Sequence, residues 1–318
     1  MKIAFTIAAG AVLALGLAAA NAPARPSKGT ADCARTSTGL TPLTDFVGKR
    51  KYRGYRGGLY PNARNKPTAA YLRVGVNQAR RVRRIGGQTV LLSIGMANAS
   101  DEFTAFKRLA DVDPSKNQEL VIVDGAQNGG EAGRIKRPTA EYWQVVDERL
   151  KAAEATADQV QVIWLKEAIA GEDRPFPRDA RALQNDLRAI VRIVKARFPN
   201  LRLIYLSSRT YAGYAITGHN PEPAAYDGAF GVRWLIGERM AGKIRGPWIG
   251  WGPYLWTDGL RGRGDGLAWA CEDVGQDGTH ASRSGAQKVA QLLQQFFRSD
   301  PTARPWFRGR PNPARPAA

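Results

Sequence analysis

Between residues 89 and 297 the chain alternates short apolar runs with longer amphipathic stretches, and this alternation constrains its fold more than any other feature. The runs are Thr89–Ile94, Leu120–Val123, Val160–Trp164, Leu201–Leu206 and, more weakly, Trp248–Trp251. Each is short and rich in branched or aromatic side chains, as strands covered on both faces are. Helices are expected between them at about 101–110, 141–156, 178–197 and 226–241, with a last one at 284–297. Such alternation predicts an α/β fold of three α/β/α layers around a central five-stranded, mainly parallel sheet. Ligands of such sheets bind outside the carboxyl ends of the strands. The loops to read for chemistry are therefore those after Ile94, Val123, Trp164 and Leu206, and the one before the last helix.

That last loop carries Asp277-Gly278-Thr279-His280. A neutral imidazole can take and return a proton near neutral pH, and a carboxylate on its other nitrogen fixes the tautomer. The competing reading is structural, with Asp277 capping a turn and His280 capping the helix. The other histidine, His219, sits in a Gly-His-Asn-Pro turn and reads as a surface residue. After the first strand comes Gly95-Met96-Ala97-Asn98, followed by Ser100 and the acidic pair Asp101-Glu102, so that Ser100 reads as a helix N-cap.

Gly95-Met96-Ala97 at the first strand end and Asp277-x-x-His280 before the final helix, followed by Ala281-Ser282 and Gly285, resemble the SGNH (GDSL-like) hydrolases, nearest in motif style to secreted carbohydrate-esterase members. The resemblance in order of elements covers about 88–297, and it implies a flavodoxin-like strand order. It also implies His280 as base, Asp277 as its orienter, and ester bonds as substrate, namely O-acyl groups of a carbohydrate or of an acylated small molecule. The departure is Ala97, which stands where that family has its nucleophilic serine; a methyl group cannot attack a carbonyl. Three explanations compete: a natural pseudoenzyme that binds glycan or polyanion without turnover, a neighbouring hydroxyl (Ser93 or Ser100), or a deliberate replacement. The family's oxyanion glycine matches Gly125, in the glycine-rich loop Asp124–Gly130. Gly95, Asn98 and Gln127 are further oxyanion or substrate-binding candidates. The family's asparagine after the third strand is missing, since Leu165-Lys166-Glu167-Ala168 stands there; Asn98, Gln127 or Lys166 are the candidate substitutes.

Two aromatic loops follow the fourth and fifth strands, Ser207–Tyr214 and Trp251–Gly259. With Arg209 and Trp256 they offer flat apolar faces beside directed polar groups, a combination that grips sugar rings. A packed aromatic cluster is the alternative.

The first residues, with one early lysine, an apolar run from Ile3 to about Ala20 and small residues at Ala18, Ala20 and Ala22, read as an export signal cleaved after Ala20. The expected organisation is thus a signal peptide at 1–20, a loose segment at 21–43, one domain at 44–298 and a loose tail at 299–318, in a periplasmic or extracellular protein. In an oxidising compartment the two cysteines, Cys33 and Cys271, pair naturally, with two buried thiols as the alternative. Two cysteines and two histidines are too few for a Cys/His zinc site, and no cofactor is expected. The chain has 47 basic and 28 acidic residues, a net charge of +19. Such a field favours polyanions in general, although the basic residues are spread out and stretches such as 79–84 read equally as solvated faces.

Overall fold

The computed structural model describes residues 30–309 apart from 47, 169–173 and 219–220. The expected export signal and His219 lie outside the described residues. Among those described, no helix is long and apolar enough to cross a membrane.

A two-residue hairpin, β1 (Lys51–Tyr52) and β2 (Tyr55–Arg56), precedes the main sheet. The sheet consists of β3 (Thr89–Gly95), β4 (Leu120–Asp124), β5 (Val160–Lys166), β6 (Leu203–Ser207) and β7 (Trp248–Trp251). Its order is β4-β3-β5-β6-β7, and every neighbouring pair is parallel. This is the flavodoxin-like order, because the first strand of the sheet lies inside it and the chain reverses direction beside it. All of β3, β5, β6 and β7 is buried, as their mainly apolar sequences require, and the polar Ser93, Gln161 and Lys166 are buried with them. The reversal opens a crevice at the carboxyl ends of β3 and β5, where Gly95 lies opposite Lys166.

The helices are α1 (Ala69–Ala79), α2 (Ala97–Asp111), α3 (Ala132–Ile135), α4 (Glu141–Ala152), α5 (Arg178–Arg197), α6 (Ala224–Met240), α7 (Arg283–Ser299) and α8 (Arg304–Phe307). They cover both faces of the sheet, with α2 packed on α7 and α5 on α6. The amphipathic spacing of α5 explains its seat: Leu183, Leu187, Ile190, Val191 and Val194 form one buried stripe. Helix α1 escaped the periodicity reading because Gly75 interrupts it. The glycine is required by packing, since a Cβ there would lie 2.6 Å from the Trp248 ring.

Both expected loose ends are corrected where they are described. Leu43 is fully buried, and the buried Asp258 carboxylate accepts hydrogen bonds from Ser37 Oγ (2.6 Å), Thr38 N (2.6 Å) and Gly39 N (3.0 Å). Cys33 and Cys271 form a disulfide with Cα atoms 5.4 Å apart. Closing a loop of 238 residues stabilises the fold by about 5 kcal/mol in the chain-entropy account. At the other end, Trp306 and Phe307 are buried against Phe297, with ring centroids 5.4 and 5.7 Å away, and Tyr205 donates to the Thr302 carbonyl at 2.7 Å. The Arg/Pro/Ala composition suggested a free tail, but two aromatic side chains close the core beneath α7.

Trp306→Ala should therefore cost about 3–5 kcal/mol in denaturant unfolding, the range for truncating a buried aromatic. A loss below about 1 kcal/mol would show that the C-terminal segment is dispensable for the core.

Candidate active site

The turn before α7 is built around one carboxylate. Asp277 Oδ1 accepts the backbone N–H groups of Thr279 and His280, both at 3.0 Å, and Oδ2 lies 2.5 Å from His280 Nδ1. Gly278 is left-handed (φ 67°), and a Cβ there would strike the Tyr214 carbonyl, so the turn sits directly on that backbone. Partial burial pushes the Asp277 carboxyl up, but the hydrogen bonds from the His280 ring and from the two backbone N–H groups outweigh it and hold the carboxyl below its usual range. Binding Nδ1 leaves Nε2 as the nitrogen available for proton transfer, on a ring that is 45 % exposed. The pair thus has the arrangement of a base and its orienter.

Ala97 is the first residue of α2, whose N-cap, Met96, supplies no side-chain hydrogen bond. The N–H groups of Ala97 and Asn98 therefore have neither an intrahelical partner nor a side-chain cap, at the positive end of a 15-residue helix. Gly95 permits this tight exit from β3: a Cβ there would lie 2.3 Å from the Lys166 carbonyl oxygen. Asn98, expected to face substrate, is instead buried and donates from Nδ2 to the Thr279 carbonyl at 2.9 Å. That bond brings the start of α2, and with it Ala97, against the turn that holds His280.

Neighbouring hydroxyls are committed elsewhere. Ser93 is fully buried; it donates to Asp124 Oδ1 at 2.5 Å and accepts from the N–H groups of Gly125 (3.0 Å) and Ala126 (3.3 Å). Ser100 is not an N-cap, because α2 begins three residues earlier, and it donates to Asp124 Oδ2 at 2.5 Å. Burial pushes the Asp124 carboxyl up, and these two hydroxyls and the Ala126 N–H partly offset the shift.

The expected donors after the second and third strands are also corrected. The Gly125 N–H is taken by Ser93 Oγ, and the Gln127 side-chain amide donates to the carbonyls of Gly125 and Tyr142. Lys166 is buried and forms an ion pair with the buried Glu102 of α2, Nζ lying 2.5 and 2.6 Å from the two carboxylate oxygens. Burial drives both members of this pair toward their neutral forms, Glu102 upward and Lys166 downward, and each is opposed mainly by its partner. Glu167, next in the chain, is also buried, and the backbone N–H groups of Ala168 and Ala132 approach its carboxyl. Burial, with Glu131 adding to it, raises this carboxyl well above its usual range.

The aromatic rim is corrected as well. Trp256 is fully buried and donates from Nε1 to Glu222 at 2.8 Å; Tyr211 and Tyr214 are buried too. Arg209 is buried, with its Nη2 3.5 Å from the Thr279 carbonyl. Burial lowers its guanidinium, opposed by Glu102, Glu222 and Asp277. Burial likewise raises Glu222 to about 7, against hydrogen bonds from Ala212, Trp256 and Tyr226. Sequence reasoning missed Glu102 and Glu222. For Glu102 a signal existed, because it lies beside Phe103 and on the stripe of Ala99, Phe106 and Ala110, the inner side of the helix.

Beside the His280 turn, a groove of about 620 Å³ runs between α2 and α7, lined by Asp101, Thr104, Arg108, Ser282, Arg283 and Gln287 among others.

No protein-family model matches the chain, and no curated protein matches it. Among solved structures it is similar to the periplasmic domain of a Salmonella Paratyphi A lipopolysaccharide acetyltransferase (13 % identity, 73 % of this chain and 97 % of that one, TM-score 0.41). It is similar to a Bacteroides fragilis protein assigned as an acylhydrolase (11 %, 72 % and 97 %, TM-score 0.40). A salicylyl-acyltransferase of a tetracycline biosynthetic pathway is a third (14 %, 67 % and 55 %, TM-score 0.35). At these scores and identities the likeness assigns neither activity nor substrate.

Glu102→Gln should destabilise the fold by about 3–5 kcal/mol, because it strands a buried ammonium, whereas Glu102→Leu with Lys166→Met should be close to neutral. Denaturant unfolding of the three proteins decides. A Glu102→Gln cost under about 1 kcal/mol would show that Lys166 needs no partner.

Proposed function

We propose that this chain is an exported SGNH-type protein whose cleft is built for acyl esters, in particular O-acyl groups of a carbohydrate, and whose covalent step is blocked at Ala97. The observation that carries this reading is the Asp277–His280 pair, its Nδ1 contact at 2.5 Å and its other nitrogen free, joined through Thr279 and Asn98 to the start of α2. In this reading the ester carbonyl lies over the first turn of α2. The N–H groups of Ala97 and Asn98 would then receive the developing oxyanion in place of Gly125. Donors aimed at that charge commonly account for about 3–4 kcal/mol each of the barrier reduction. The groove between α2 and α7 would take the alcohol half of the ester, since its lining of hydroxyl, amide, carboxylate and guanidinium groups suits a polyol.

With a methyl group at position 97, only water can attack the carbonyl, passing its proton to His280 Nε2 and leaving the alcohol to be protonated from the same nitrogen. In serine hydrolases, loss of the nucleophile costs about a million-fold in turnover. The chain as it stands therefore releases its ligand many times for each one it cleaves. A second reading, a purely binding protein, is favoured by the commitment of Ser93 and Ser100 to Asp124, which removes both neighbours as substitute nucleophiles.

The test is hydrolysis of acetylated oligosaccharides and p-nitrophenyl acetate by the unmodified chain, Ala97→Ser, and Ala97→Ser with His280→Ala. The first should be nearly inert, the second faster by at least about a thousandfold, and the third inert again. A folded but inert Ala97→Ser protein would favour the binding reading. Fast hydrolysis by the unmodified chain would overturn the blocked step.

A further inference from the structure

At the far end of α5 from the site, Arg188, Arg192 and Lys195 recur on one face, spaced over seven residues and so about 10 Å of helix. The loop after α6 brings Lys243 and Arg245 against them. That loop is fixed in place: Arg239 donates from Nε to the Pro247 carbonyl (2.8 Å) and from Nη2 to the Gly246 carbonyl (3.0 Å). Gly246 adopts φ 135°, and a Cβ on it would lie 2.9 Å from Lys195 Cδ, so the lysine stem packs onto the loop. The result is a concave site of about 450 Å³ lined by five basic residues with Ala196 and Ile244, and by no acidic one among the described residues.

Arg188 is satisfied by Glu238, at 2.6 Å. Among the described residues, Arg192, Lys195, Lys243 and Arg245 take part in no ion pair, and all four are exposed. The helix dipole favours a cation such as Lys195 in the last turn. It does not account for Arg192, which lies earlier in the helix, nor for the two loop residues. Convergence of four unneutralised cations on one concavity is self-repulsive, and an anionic ligand would relieve it.

We propose that this pocket binds a segment of a linear anionic polysaccharide. The lining has no aromatic ring on which the bases of a single-stranded nucleic acid could stack. Its apolar members are a small alanine and a buried isoleucine, so nothing projects to insert into a bilayer. A concave strip of cations suits a single chain carrying regularly repeated carboxylate or sulfate groups. Because the pocket lies away from the His280 turn, such binding would anchor the protein without occupying the ester site.

The test uses the full chain at about 0.15 M salt, with heparin, polygalacturonate and a short DNA duplex as probes. Arg192→Gln/Lys195→Gln/Arg245→Gln should weaken binding to one or both polysaccharides by at least about tenfold. Lys66→Gln/Arg80→Gln/Arg81→Gln, which removes the same charge at exposed positions outside the pocket lining, should change it by less than about twofold. Heparin alone would indicate sulfate recognition, and polygalacturonate as well would indicate any regular anion. Equal losses in the two triple variants, no binding of either polysaccharide, or tighter binding of DNA through the same residues would overturn the proposal. Thermal unfolding checks that each protein is folded, and Arg245→Glu alone serves if the first triple variant is not.

Discussion

The Asn98 side chain joins the beginning of the sheet's chemistry to its end. Its amide, buried at the start of α2, donates to the carbonyl of Thr279, which lies inside the Asp277–His280 turn almost at the other end of the domain. Packing of α2 on α7 also holds the first and last loops at the carboxyl edge together. With the Asn98 bond, residue 97 and the imidazole are set by adjoining residues of one hydrogen-bonded contact. The buried guanidinium of Arg209 lies beside the same carbonyl, and the Lys166–Glu102 pair ties α2 to β5 beneath it. The charged groups under the cleft thus serve chiefly to hold the helix and the turn in register.

In the proposed reading, this arrangement separates the parts of a hydrolytic site that are present from the nucleophile that is not. The His280 ring is oriented, and the N–H groups at the head of α2 are uncapped, yet Ser93 and Ser100, the serines that flank position 97 in sequence, are both bonded to Asp124. Asp124 competes for those hydroxyls effectively because its own carboxyl is buried and needs them. Moving either serine into attack would leave a buried carboxylate short of a donor, at a cost of about 1–3 kcal/mol. The neighbours are therefore poor replacements on energetic as well as geometric grounds.

Much of the fold was legible because a buried parallel sheet writes itself as short, mainly apolar runs, and all five strands fall where those runs are. The strand order is the one that the resemblance implied, and the Asp277–His280 contact lies in the loop before the last helix that the layout singled out. What escaped was decided by tertiary contact. Gly75 looks like a helix breaker until the Trp248 ring is seen against it, and Trp306 and Phe307 look like a tail until Phe297 is placed beneath them. Arg209 and Trp256 read as surface groups because sequence gives no sign that Thr279 and Glu222 wait inside to receive their hydrogen bonds. The resemblance points to Gly125 as a donor, and only the structure reveals that Ser93 occupies its N–H.

The most direct test of the proposal that a hydroxyl at position 97 would complete the site is covalent labelling by a fluorophosphonate, followed by mass spectrometry of the adduct. This reagent reports an activated hydroxyl beside a functioning base and oxyanion donors, whatever the natural substrate. The expected result is no adduct on the unmodified chain and a single adduct at position 97 of Ala97→Ser, lost again when His280 is changed to alanine. An adduct on Ser93 or Ser100 of the unmodified chain, or a folded Ala97→Ser protein that stays unlabelled, would contradict it.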